Sequence, residues 1–282
     1  MKRWLLVGLL MLISVAAYAE EIRVAVGEVK DNRTTGQFFA GLDLKLRLMG
    51  DIISDAKGLK VIITRAVDDT GRDLMKPAAG KIDFASPDEQ NTGQAEVEIK
   101  LKNPSRKAAV IQELSGEAIL FVPKNDPDAS AEIQNFLTRT GTLLDHKALA
   151  ASKVEVTVLT KKQFDEIKEQ RKKEVKEKEG AMSRDIGEAL VQAFSSLFGS
   201  MMEIGENSVI LNIKDPGSKL ISVEFFGEDN NRIRNTSSMT MGETRVYEFE
   251  NPLPAKARML ISLSAPKALV RTPVKLKDIA LP

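Results

Sequence analysis

The sequence predicts a mainly β protein: two immunoglobulin-like or related β-sandwich domains joined by a long segment that is first charged, then amphipathic and helical. Three observations carry that prediction. Short runs of strict apolar and polar alternation, the two-residue period of a half-buried strand, recur through residues 20–160 and again through 205–282. Clusters of Gly, Pro, Asn and Asp punctuate those runs where turns are needed. Between the two sets, residues 161–204 lose the alternation and take up helical spacing.

The chain opens with Lys2 and Arg3, an apolar run from Trp4 to Ala16, and Ala17-Tyr18-Ala19. This is the pattern of a secretory signal peptide over residues 1–19, and cleavage after Ala19 is expected to release a periplasmic or secreted protein. No later stretch reaches 18 consecutive apolar residues, so no transmembrane segment is expected after cleavage. Losing Lys2 and Arg3 takes the 41 basic residues to 39, against 40 acidic ones. A balance that near neutral gives no electrostatic footprint for nucleic acid or an anionic membrane. The chain has no cysteine, so stability must come from packing and strand pairing rather than from disulfides.

In the first domain, 20–160, Ile22, Val24 and Val26 alternate with polar neighbours, residues 27–41 read as a turn-rich connection, and Leu42, Leu44, Leu46 and Leu48 form a second strand. Residues 52–56 suggest a single helical turn, and 59–66 are rich in β-branched residues, which favours a strand. Residues 76–93 carry Pro77, Gly80, Pro87 and Gly93 and read as loop, with a short strand at 81–85. The organising stretch is 94–123. There Ala95, Val97, Ile99 and Leu101 alternate with charges, Asn103-Pro104-Ser105 turns, 108–114 returns to the sheet, Ser115-Gly116 turns again, and 117–122 is a central strand. A short helix at 145–152 precedes a strand with Val154, Val156 and Val158 inward.

From 161 to 179 the chain is mostly Lys, Glu, Gln and Arg, which suits a solvated helix with many ion pairs one turn apart. Ile186, Leu190, Phe194, Leu197 and Met201 then recur at spacings of three and four, an amphipathic stripe. The stripe is expected to pack on one of the sandwiches and to leave an edge for a protein partner or for self-association. In the second domain, 205–282, alternating runs around 209–213, 221–225, 247–249, 259–263 and 270–276 predict five strands. Residues 227–231, GEDNN, have hairpin-loop chemistry, and Pro273 marks the last strand as an edge or a bulge.

Chemistry is sparse in this sequence. His146 is the single histidine, so zinc sites and Ser-His-Asp or Cys-His nucleophiles lack their usual parts. Ser54-Asp55-Ala56-Lys57 matches the S-x-x-K of serine acyl enzymes in form but has no S-D-N or K-T-G companion. Asp68, Asp69 and Asp73 around Gly71 are oxygen donors of the kind a calcium ion takes, but they form no EF-hand pattern, and a β-turn with Asp bonded to its own backbone is the favoured reading. Asp88 and Glu89 extend that set only if the long loop folds over it. Glu96 and Glu98 share a strand face with Lys100 and Lys102, which points to cross-strand ion pairs rather than acid–base work. Tyr247 is the one tyrosine outside the leader and sits on an alternating strand, so an aromatic sugar platform is not favoured. No cofactor, metal or catalytic residue is assigned.

Three runs, AVDDTGRDLM at 66–75, LKNPSRKAAVIQELSGEAILFVP at 101–123 and VKLKDIALP at 274–282, resemble a group of uncharacterised exported bacterial β-sandwich proteins. The resemblance implies the fold and an address in the cell envelope, and it carries no activity or site residue. The function expected is therefore that of a non-enzymatic envelope protein that binds another protein or joins an assembly. The alternatives are a polysaccharide- or calcium-binding module, or an enzyme whose carboxylates converge only in the fold.

Overall fold

Leu42, Leu44, Leu46 and Leu48 are all fully buried, while Lys45 and Arg47 between them carry ion pairs in solvent. Strand alternation of this kind builds most of the molecule. The computed structural model describes residues 22–34, 40–77, 82–86, 93–179, 205 and 207–282. In chain order its strands are β1 (Arg23–Asn32), β2 (Gly41–Met49), β3 (Gly58–Asp68), β4 (Gln94–Leu101), β5 (Val110–Phe121), β6 (Ser130–Gln134) and β7 (Glu155–Val158). They continue as β8 (Ser208–Lys214), β9 (Leu220–Phe226), β10 (Arg232–Ile233), β11 (Ser237–Met241), β12 (Thr244–Glu248), β13 (Arg258–Leu263) and β14 (Leu269–Ala280). Two α-helices accompany them, α1 (Lys147–Ser152) and α2 (Lys161–Glu179). Among the described residues no helix is long and apolar enough to cross a membrane.

The strands form four antiparallel sheets, ordered β1-β2-β4, β14-β5-β3, β10-β9-β13-β6 and β11-β12-β8-β7. The first two share one apolar core, in which the β2 leucines meet Leu59 and Val61 of β3, Leu114 and Leu120 of β5, and Val274 of β14. The other two share a second core, where Ile133, Val156, Leu211, Phe225, Tyr247 and Ile261 come together. Its aromatic centre is tight: the Phe225 ring lies 5.2 Å from Tyr247 and 5.1 Å from Phe249, both edge-on.

Strand pairing allots the chain differently from the sequence expectation. β14 was expected in the C-terminal set but pairs with β5 along its length, from Leu269 opposite Phe121 to Ala280 opposite Val110. β6 and β7 lie within the expected first domain, 20–160, but pair with β13 and β8. The sheets therefore do not respect boundaries at 160 and 205. Everything from 122 to 268 is instead an excursion between β5 and β14, two antiparallel neighbours. Within it, 159–207 is an excursion between β7 and β8, again neighbours, with Val158 opposite Leu211. The charged helix is thus a connection inside one sheet and not a linker between two sandwiches. The physical reason is that alternation reports which face a side chain takes and leaves the partner strand open.

Two local expectations also change. Ser115-Gly116 is no turn: β5 runs unbroken through it, and β3 bulges opposite, where its register shifts between Ile63 and Arg65. A Cβ on Gly116 would overlap the Ile62 carbonyl oxygen and lie 2.9 Å from Ile63 Cα, so glycine is what lets the two backbones approach. Residues 27–32 belong to β1, which passes Gly27 by a register shift between Val26 and Glu28. Pro273 does sit on an edge strand, since among the described strands β14 is flanked only by β5.

Candidate functional site

The acidic turn after β3 is built as a backbone clamp. Asp68 is fully buried. Its Oδ1 accepts hydrogen bonds from Thr70 N at 2.9 Å, Thr70 Oγ1 at 2.7 Å and Arg72 N at 2.9 Å. Its Oδ2 accepts from Ser105 N, 37 residues further on, at 2.8 Å. Burial pushes the Asp68 carboxyl up, but the hydrogen bonds from Ser105, Thr70 and Arg72 together outweigh it and hold the group below the ordinary aspartate range. Asp69 accepts from Ala109 N at 3.0 Å, and Asp73 accepts from Met75 N at 3.0 Å. Asp68 and Asp69 thus tie the end of β3 to the segment entering β5, while Asp73 closes its own turn, all three committed to backbone N–H groups. Among the described residues no group of three or more His, Asp or Glu is placed to hold a metal ion. Asp88 and Glu89 lie outside the described residues.

The other singled-out residues take structural positions. His146 is the N-cap of α1, its Nδ1 accepting from Ala148 N at 3.2 Å. Ser54 and Lys57 are exposed, on and just beyond a 3-10 turn at Asp51–Asp55. Tyr247 packs in the second core, where burial raises its phenol above the usual value. Glu96 does pair across strands, accepting from Arg47 Nη2 at 2.9 Å with Lys45 at 3.6 Å, and the Arg47 hydrogen bond holds its carboxyl below the usual range. Glu98 differs from expectation. It pairs along its own strand with Lys100 at 3.5 Å, because Lys45, its register partner, leans to Glu28 and Glu96.

A cleft of about 450 Å³ opens where the outer excursion joins the first sheets, lined among others by Asp126, Asp128, Lys153, Lys219 and Ser264. Nothing in the local sequence of Asp126-Pro127-Asp128 signals its reach. Asp126 is nearly buried and accepts from Asp128 N at 3.1 Å and from Lys267 N at 3.3 Å, so one carboxylate holds both strands of the crossing. Val122 N donates to Ala268 O at 2.7 Å beside it, and Phe121, Ala129, Ala265 and Ala268 form a small apolar cluster there. Asp128 pairs with Lys147 at 3.6 Å. Both carboxylates are thus engaged, and Lys153 and Lys219 line the same cleft.

The inner excursion begins with α2. Thr160 Oγ1 accepts from Gln163 N at 3.2 Å while Gln163 Oε1 accepts from Thr160 N at 2.9 Å, a reciprocal capping box that starts the helix. Phe164, 1% exposed, then packs with Ile210 and Val246 against the outer face of the β11-β12-β8-β7 sheet. Arg171 Nη1 donates to Met241 O at 2.8 Å, fastening the next two turns to the β11–β12 turn. The remaining candidates, Ile186, Leu190, Phe194, Leu197 and Met201, lie outside the described residues. The chain matches no protein-family model, no curated protein and no solved structure.

Proposed function

We propose that this is an exported, non-enzymatic β-sandwich protein of the bacterial cell envelope, each facing pair of sheets being an immunoglobulin-like or related sandwich, and that it works by binding another protein. The leader at Met1–Ala19 supports the address. The observation that carries the binding reading is the inner excursion. β7 and β8 are antiparallel neighbours, which a turn of roughly two residues can join. The chain uses roughly fifty residues, from 159 to 207, far beyond the usual loop, and a connection the fold does not require is the natural place for function. Its first part is a helix fastened at Phe164 and Arg171, and its later part carries the apolar repeat Ile186, Leu190, Phe194, Leu197 and Met201. That repeat is the proposed partner contact. The test is affinity recovery from the native envelope with the unaltered protein and with Leu190→Asp or Phe194→Asp. One defined protein recovered by the unaltered chain and lost with either variant, at unchanged melting temperature, supports the reading. Equal recovery by all three overturns it.

A further inference from the structure

Edge strands are open templates, and most edges here are blunted. β1 bulges at Gly27. β14 carries Pro273 and Asp278 at φ 52°. β3 is bulged twice and bridged at Ala85 and Asp73. β7 is bridged by Thr140 and Leu143, and β6, β10 and β11 have five residues or fewer. β4 is the exception among the described strands. Its eight residues hold an uninterrupted register with β2, contain no proline or glycine, and point no charge inward. Instead Val97 and Ile99 are left half-buried at the sandwich margin.

The backbone phase of that edge is readable. Gly50 N donates to Gly93 O at 3.0 Å on the β2 side, and Lys102 N donates outward to Leu74 O at 2.8 Å. Odd-numbered residues of β4 therefore bond to β2, and Glu96, Glu98 and Lys100 turn their N–H and C=O groups to the open side. The side chains of the same strand face run Glu96, Glu98, Lys100, Lys102, acidic then basic and all exposed.

From this we propose that a second copy of the chain docks on β4, the two strands pairing antiparallel about Ile99 into one continuous six-stranded sheet. Pairing about Ile99 sets Glu98 opposite Lys100 of the second copy, twice by the two-fold symmetry. Val97 then meets Leu101 across the join, and Ile99 meets Ile99, which covers the half-buried pair. A shift to centre on Glu98 or on Lys100 sets that residue against its own copy, like charge on like charge, and a one-residue slip breaks the hydrogen-bond phase, so the Ile99 register is the one in which every central charged pair is opposite in sign and in phase. Lys102 N is already engaged by Leu74 O, which ends the ladder there. A single edge contact is of the small interface class, so the dimer is weak and exchanges. The inference goes beyond the partner reading, because it uses a different surface from the 159–207 excursion.

The test is sedimentation velocity on the full-length protein from about 1 µM to several hundred µM, with Glu98→Lys, Lys100→Glu and the double swap. All sites are exposed, and melting curves confirm that each variant folds. The expected result is a concentration-dependent dimer, weakened about tenfold or more by either single swap and restored by the double swap. Leu190→Asp, which tests the partner reading, leaves this dimer unchanged. A monomer throughout, or an association that the single swaps do not weaken or the double swap does not restore, overturns the proposal.

Discussion

Asp68 does with one carboxylate what a longer turn sequence would otherwise do, and its four hydrogen bonds make it a sharp test at the scale of a residue. Asp68→Asn sets an amide NH2 against backbone donors in a buried site, and a loss of about 2–4 kcal/mol is expected in denaturant unfolding. The pH dependence has a fixed sign. A folded carboxyl held below its ordinary value of 3.8 contributes stability that is complete above that value and fades as pH falls through the lower folded value. The gap between the unaltered protein and Asp68→Asn should therefore close in acid, and a gap that stays constant down to pH 2 contradicts the assignment. Gly116 is the second such residue. Its missing Cβ is what admits the Ile62 carbonyl, so Gly116→Ala should cost about 2–4 kcal/mol although alanine normally suits an interior strand better than glycine.

At the scale of elements, α2 is held by few contacts. Phe164→Ala empties the center of a small cluster with Ile210 and Val246 and should lower stability by about 2–3 kcal/mol, below the usual range for a fully enclosed phenylalanine because the cluster is thin. Hydrogen exchange across 161–171 should quicken with it, while β2 and β5 stay protected. Strand by strand, the sequence was a good guide to which side is buried where side chains alternate: the β2 leucines, Ala95 and Leu101 of β4, and Val156 and Val158 of β7 are all buried on the side that alternation implies. It failed at Ser115-Gly116, where turn chemistry and a bulge-facing glycine look the same from sequence. At Asp68 the turn bonded to its own backbone is the expected one, but the distant donors Ser105 N at Asp68 and Lys267 N at Asp126 have no local signature.

For the whole molecule, what sequence left open was partner choice. Nothing in the alternation of Val270, Thr272, Val274 and Leu276 says that this strand closes on β5, some 150 residues earlier, rather than on its near neighbours. Nested excursions follow from that one pairing, and so does a physical consequence. A chain cut inside the inner excursion has lost no sheet pairing, since β7 still bonds β8 and β5 still bonds β14. Limited trypsin digestion of the full-length protein, directed at the basic residues between Arg171 and β8, followed by native size-exclusion chromatography with mass detection of the pieces, therefore tests the nested topology most directly. The account predicts that both fragments elute together as one folded particle and separate only in denaturant; two fragments that part under native conditions, each still folded, would contradict it.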